Sequence, residues 1–98
     1  MTYTIDEIKK IATPIAQKYG IKRLSLFGSY AREEANENSD IDFFIEKGSL
    51  KGLIQYNALI RELEEKFNLH IDLITSGIND KEFLNKIQKE EIILYETK

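Results

Sequence analysis

Cysteine and tryptophan are absent from this 98-residue sequence, and proline and histidine occur once each. Without cysteine the chain has neither disulfides nor a thiolate metal site, so a reducing cytoplasm is the expected setting. No apolar run approaches the roughly 20 residues that span a bilayer, and the N-terminal stretch MTYTIDEIKK lacks the apolar core of a signal peptide. We therefore expect no membrane association. Excess positive charge is also lacking, and a net charge of −3 argues against direct binding of DNA or RNA.

The composition that is present describes a folded chain. Hydrophobic residues make up 42% of the sequence and charged residues 32%, which is typical of globular proteins. A chain of this length can bury one hydrophobic core but not two. No internal repeat or linker-like segment interrupts it, so we predict a single domain over residues 1–98.

The first predicted element is a helix. Thr4 and Glu7 have the spacing of a capping box, and apolar residues follow at helical intervals. Pro14 is expected to kink this helix or to restart it, with Thr13 as a second cap. Gly20 is expected to end it in a left-handed conformation.

Three short stretches have the composition of strands and are separated by helical patterns. The strands are predicted in residues 22–28 (KRLSLFG), 40–46 (DIDFFIE) and 69–75 (LHIDLIT). A short helix capped by Ser29 should follow the first strand, and a capped helix followed by a short strand or a helix end should complete the chain. The helix between the second and third strands has an apolar face made of Leu53, Tyr56, Ile60, Leu63 and Phe67. This alternation predicts an α/β (α+β) fold, a short mixed sheet covered by helices.

Two carboxylates, Asp40 and Asp42, lie two residues apart at the start of the second predicted strand, and therefore on one face of it. Close carboxylates repel unless solvent screens them or a cation bridges them, and hard oxygen ligands suit Mg²⁺. Asp72 lies within the third predicted strand. If the two strands are neighbours, the three carboxylates converge on one rim and can hold two metal ions. The alternative is a strand start capped by water-exposed aspartates, and His70 is interpreted as a strand-edge residue.

Gly28 ends the first predicted strand, and Ser29 follows it where a helix begins. A glycine allows a ligand to approach the backbone, and free N–H groups at a helix start suit a phosphate. Gly-Ser turns are common, so this signal is weak by itself. Its combination with Asp40 and Asp42 at fixed offsets should occur by chance in on the order of one chain in a thousand of this length.

These residues resemble a known family. Gly28-Ser29, ten intervening residues and Asp40-Ile41-Asp42 match the G-S-x(10)-D-x-D signature of the nucleotidyltransferase superfamily related to DNA polymerase β. The segments LFGSYAR, SDIDFFIE, HIDLIT and ILYE resemble the minimal nucleotidyltransferase (MNT) group over nearly the whole chain. The resemblance implies a compact nucleotidyltransferase core. Many members are antitoxins encoded beside a HEPN-domain ribonuclease toxin, and some transfer AMP from ATP to a toxin tyrosine.

The resemblance also implies roles for individual residues. Asp40 and Asp42 would bind Mg²⁺, and Asp72 would complete a site for two ions and help to activate the acceptor hydroxyl. The phosphates of ATP would contact the remaining motif residues: Gly28, Ser29, Arg32 and Ser39. Glu33 departs from the family pattern, in which glycine commonly follows the arginine, and an acidic pair at Glu33 and Glu34 would weaken triphosphate binding.

The leading hypothesis is therefore a Mg²⁺-dependent antitoxin that adenylylates a HEPN toxin and forms a hetero-oligomer with it. One alternative is a non-catalytic binding module of the same fold that neutralises the toxin by contact. Another is nucleotidyl transfer to a small molecule or an RNA end, although relatives with those activities usually carry added substrate domains.

Overall fold

Four helices and four strands make up the part of the chain that the structure, a computed structural model, describes: residues 2–77 and 79–97. In chain order they are α1 (Ile5–Lys18), β1 (Arg23–Phe27), α2 (Gly28–Ala31), β2 (Ile41–Glu46), α3 (Gly52–Phe67), β3 (Ile71–Thr75), α4 (Lys81–Glu90) and β4 (Ile92–Glu96). No helix in these residues is long and apolar enough to cross a membrane.

The four strands form one mixed sheet in the order β3-β2-β1-β4. Strand β1 is antiparallel to both β2 and β4, whereas β2 and β3 are parallel and joined by the crossover helix α3. The predicted α/β architecture is confirmed. Because β2 and β3 are parallel, they begin at the same edge of the sheet, and side chains from both strands meet there.

The two faces of the sheet are covered unequally. Helices α1 and α3 cover one face, where the larger apolar core includes Leu26, Phe43 and Leu73. On the other face a smaller cluster joins Phe44 to Ile87 of α4. Successive residues of a strand point to opposite faces, so Asp42 and Asp72 lie on the α4 side of the sheet. At the start of β2 and β3 the side chains of Asp40 and Asp72 are about half exposed.

Local signals determine the ends of α1 as predicted. The Glu7 N–H donates to Thr4 Oγ1 at 3.1 Å and the Thr4 N–H donates to Glu7 Oε1 at 2.8 Å, which confirms the capping box. Gly20 has a φ of 68°. The predicted restart at Pro14 is wrong, because α1 continues through it as one helix. Pro14 and Lys10 are both exposed, so solvent can satisfy the carbonyl that loses its N–H partner.

Two further predictions are corrected. Ser29 is not a helix cap, because α2 begins one residue earlier, at Gly28, with Phe27 as its N-cap. Leu53 is not part of the buried face of α3, since its side chain is 77% exposed. The periodicity is correct for Leu63 and Phe67, which are buried, but Leu53 lies in the first turn of the helix, where the core does not reach.

Candidate active site

Four polar residues lie together at the start of the parallel strands. Asp42 and Asp72 are register partners across β2 and β3, and the Ile41 N–H donates to the His70 carbonyl at 3.2 Å just before them. Asp40 and His70 lie two residues ahead of Asp42 and Asp72, and therefore on the same face of the sheet. We refer to Asp40, Asp42, His70 and Asp72 as the polar array. The structure brings all three sequence-predicted carboxylates into it.

The array is compact enough for a metal ion. His70 Nδ1 lies 3.3 Å from Asp40 Oδ2 and 3.7 Å from Asp72 Oδ1. One potential ligand atom from each of Asp40, His70 and Asp72 lies within 4.8 Å of the others. These side chains are about half exposed, which leaves room for the water ligands that Mg²⁺ retains. The donor set therefore fits a hydrated divalent cation.

The carboxyl group of Asp42 has a perturbed pKa. Burial first, then a hydrogen bond with Asp72 and the negative charges of Asp72 and Asp40, raise the pKa of Asp42 from 3.8 to about 6. The positive charge of Arg32 opposes this shift. A group crowded by negative charge favours its protonated form, and a bound cation relieves that crowding.

Gly28 is required next to Asp42 for steric reasons. Phe27 pairs with Asp42 across β1 and β2, and the chain then turns at Gly28 with a φ of 73°. A Cβ atom at Gly28 would lie 2.2 Å from Asp42 Oδ2. Glycine therefore provides both the left-handed backbone and the space that the Asp42 carboxylate occupies.

Arg32 and Glu90 complete the surroundings of Gly28. The Gly28 N–H donates to Glu90 Oε1 at 3.1 Å, and Arg32 Nη1 lies 3.4 Å from each oxygen of the same carboxylate. Arg32 Nε also donates to Glu34 Oε1 at 2.7 Å. The Glu90 carboxylate thus binds Gly28 and Arg32, two of the residues that were predicted to bind phosphate. Glu90 carries no signal in the sequence pattern, because only the packing of α4 brings it to Gly28, 62 positions away.

The two serines of the predicted site have different surroundings. Ser39 Oγ accepts a hydrogen bond from the Asn36 N–H at 2.9 Å and so orders the loop that leads into Asp40. The Ser29 carbonyl accepts from the Glu34 N–H at 2.9 Å at the end of α2. The assignment of both serines to nucleotide binding stays a prediction.

Glu33 has a φ of 58°, in the left-handed region that favours glycine. This backbone explains why a glycine is suited to the position after Arg32. Glu33 is exposed and keeps the same turn at a cost in strain.

A separate concavity of about 300 Å³ lies at the other end of β2 and β3, lined by Lys47, Leu50, Gly52, Leu53, Tyr56 and Thr75. Leu53, one of these lining residues, is 77% exposed, and the next residue, Ile54, is 88% exposed. We refer to Leu53 and Ile54 as the apolar patch. Neither the concavity nor the patch contains a sequence-predicted site residue.

The chain is similar to a known protein family and to named relatives. Residues 9–98 match the family described as Polymerase beta, Nucleotidyltransferase. A Methanocaldococcus jannaschii protein, provisionally named a protein adenylyltransferase, is 48% identical over 71 residues, or 72% of this chain and 76% of that protein. The protein adenylyltransferase MntA of Thermococcus cleftensis is 32% identical over 75 residues, with the same coverage of 72% and 76%.

Solved structures share the fold at lower identity. A chain from a crystal structure of a toxin–antitoxin with AMP-PNP matches with a TM-score of 0.79 at 18% identity. The match covers 92% of this chain and 74% of that chain. A second match is a chain from the structure of a tri-AMPylated Shewanella oneidensis HEPN toxin in complex with an MNT antitoxin. Its TM-score is 0.71 at 16% identity, and the match covers 92% of this chain and 71% of that chain. With the family match and the MntA relative, the chain therefore belongs to the polymerase beta nucleotidyltransferase family and is a nucleotidyltransferase enzyme.

Proposed function

We propose that this chain is a Mg²⁺-dependent antitoxin that transfers AMP from ATP to a tyrosine hydroxyl of a HEPN-domain ribonuclease toxin and thereby neutralises it. The observation that carries the proposal is the convergence of Asp40, Asp42 and Asp72 beside Gly28 at one edge of the sheet. The relatives named protein adenylyltransferases, and the complexes of toxin and antitoxin that share the fold, support the choice of substrate and partner. The reaction would take place in the cytoplasm, as part of a hetero-oligomer.

Asp40, Asp42 and Asp72 would hold the metal, with two ions as the expected number. Bound Mg²⁺ would neutralise charge on the triphosphate and polarise the phosphorus that is attacked. The acidic array cannot attract a triphosphate by its own charge, since the net charge of its three carboxylates repels an anion. Catalysis by this chain therefore depends on the cation.

The chain's own residues would orient the two substrates. Gly28, Ser29, Arg32 and Ser39 would hold the phosphates. Asp72, with a half-exposed carboxylate, would accept the proton of the tyrosine hydroxyl. The tyrosine oxygen then forms a bond to the α-phosphorus, the bond from that phosphorus to the bridging oxygen breaks, and pyrophosphate leaves with the electron pair.

The test is intact-mass analysis of the proposed HEPN-domain toxin after incubation with this chain, ATP and Mg²⁺. We expect a mass increase of one or more AMP groups. Asp42→Asn keeps the shape of the side chain but removes its charge, and should lower transfer by about a thousandfold while preserving the fold. Asp6→Asn, an exposed carboxylate of α1 away from the array, is the matched control and should transfer AMP normally.

Neutralisation by contact alone is the second candidate, and one observation favours it. Glu90 and Glu34 already bind Arg32, so a triphosphate has to compete for it. A toxin assay with the Asp40→Asn, Asp42→Asn double variant separates the two functions. Loss of neutralisation supports transfer, whereas a complex that still silences the toxin without any mass change supports contact.

A further inference from the structure

His70 is the one member of the polar array that is not a carboxylate, and we propose that it is a direct metal ligand. The candidate metal site would then combine carboxylate oxygens with one imidazole nitrogen. This inference rests on the proposed function only in requiring a divalent cation at the array. His70 would be a metal ligand in addition to the three carboxylates that were predicted from the sequence.

The position of the His70 side chain carries the inference. Its Nδ1 atom faces carboxylates from both strands, at 3.3 Å from Asp40 Oδ2 and 3.7 Å from Asp72 Oδ1. Adjacent ligands of an octahedral ion, each about 2.1 Å from the metal, are about 3 Å apart. The three donor atoms therefore need to move little to share one ion.

The backbone holds His70 in this position. The Ile41 N–H donates to the His70 carbonyl at 3.2 Å, which continues the parallel pairing of β2 and β3. His70 directly precedes β3 and Asp40 directly precedes β2, two residues ahead of Asp72 and Asp42 and on the same face of the sheet. A backbone hydrogen bond to β2 thus fixes the residue that carries the imidazole, directly before β3 begins.

The opposing explanation is that His70 is a charged imidazolium that only bridges Asp40 and Asp72. In that case His70 would take the place of a cation instead of binding one. The two explanations differ in what a bound metal ion contacts, so they can be separated by spectroscopy on the metal itself.

A nitrogen ligand has a consequence for metal selectivity. Mg²⁺ prefers oxygen ligands, whereas imidazole is accepted more readily by first-row transition ions such as Mn²⁺. We expect His70→Gln to weaken Mn²⁺ binding by about tenfold or more and Mg²⁺ binding by less than about threefold. Titration calorimetry with each metal chloride measures both affinities.

The decisive experiment is pulsed electron paramagnetic resonance of the whole chain loaded with Mn²⁺. The sequence has a single histidine, so any imidazole coupling comes from His70. We expect a ¹⁴N coupling typical of a directly bound imidazole, replaced by a ¹⁵N coupling after labelling with ¹⁵N-histidine and lost in His70→Gln. Asn57→Gln, an exposed position on α3, is the control variant and should retain the coupling.

A Mn²⁺ signal without nitrogen coupling in the unsubstituted chain would overturn the assignment, as would equal Mn²⁺ affinity of the chain and His70→Gln. If the chain still transfers AMP in the presence of Mg²⁺ while giving either of these two results, His70 is not a metal ligand but the proposed function stands. Failure of the chain to bind Mn²⁺ or Mg²⁺ at all would remove both this inference and the metal dependence of the proposed function.

Discussion

At the start of β2 and β3 the side chains are charged and half exposed, whereas beyond the far end of the same strands the surface presents the apolar patch, Leu53 and Ile54. Parallel pairing explains the first end, because it places Asp42 of one strand beside Asp72 of the other. The far end carries an apolar helix turn and a shallow concavity without carboxylates among its lining residues. The candidate site therefore lies at one edge of the sheet, and the other edge provides matched controls for it.

Among the variants that compare the two ends of the sheet, the largest effect is expected from Gly28→Ala. The new methyl group would lie 2.2 Å from Asp42 Oδ2, so the carboxylate has to move out of the polar array. We expect AMP transfer to fall by at least about a hundredfold, together with weaker Mg²⁺ binding, measured by intact mass and calorimetry.

The matched control is Gly52→Ala at the apolar end. Gly52 has a φ of 74°, almost the same as Gly28, but no atom lies within 4 Å of its added Cβ. Both variants therefore carry similar backbone strain, and only Gly28→Ala disturbs a carboxylate. Equal loss of activity in the two variants would contradict the steric role of Gly28.

The next effect concerns Glu90, whose carboxylate binds the Gly28 N–H and Arg32. Glu90→Gln removes a negative charge from groups proposed to bind phosphate, so we expect the KM for ATP to fall about three- to tenfold. Steady-state transfer at varied ATP measures this change. Glu82→Gln, in the first turn of α4, is the control. A higher KM for ATP in Glu90→Gln would contradict this expectation and would identify Glu90 as a residue that positions Arg32.

The pH dependence of stability should distinguish the metal-free array from the metal-bound one. The pKa of Asp42 is raised from 3.8 to about 6 in the folded chain, so the folded state binds this proton more tightly than the unfolded state. Its contribution is fully present below about pH 4 and is lost as the pH rises through about 6. Thermal unfolding without metal should therefore show this loss, and Asp42→Asn should remove it.

Saturating Mg²⁺ should also reduce that loss, because the cation favours the charged carboxylate. The comparison is the difference in Tm between the chain and Asp42→Asn across the pH range, recorded with and without Mg²⁺. A difference that does not change with pH in the metal-free chain would show that Asp42 is not perturbed.

The smallest effect is expected from Glu33→Gly. Glu33 has a φ of 58°, and glycine adopts this backbone without strain, although it also loses more entropy on folding. We expect a net gain of about 0.5–1 kcal/mol in the free energy of unfolding, measured by urea denaturation. Asn68→Gly, at a φ of 54°, should give a smaller gain because asparagine tolerates the left-handed region. A loss of stability in Glu33→Gly would contradict this account.

The strand and helix pattern was largely predictable, because it depends on neighbours a few residues apart. The capping box at Thr4 and Glu7, the end of α1 at Gly20 and the strand at Asp42 were all found from local spacing. The predictions failed where packing overrides spacing. Leu53 continues a helical face but extends beyond the core, and Pro14 is accommodated because its side of α1 faces solvent.

Local spacing was enough to predict that Asp40 and Asp42 share a face, that a glycine precedes them at the end of a strand, and that a third aspartate lies in another strand. Strand alternation and glycine backbone freedom are local properties, so no tertiary information is needed for them. That Asp72 and His70 join those aspartates, and that Glu90 reaches Gly28, is visible only in the folded chain. These contacts depend on strand order and on where α4 packs, and the burial of the whole apolar core determines both.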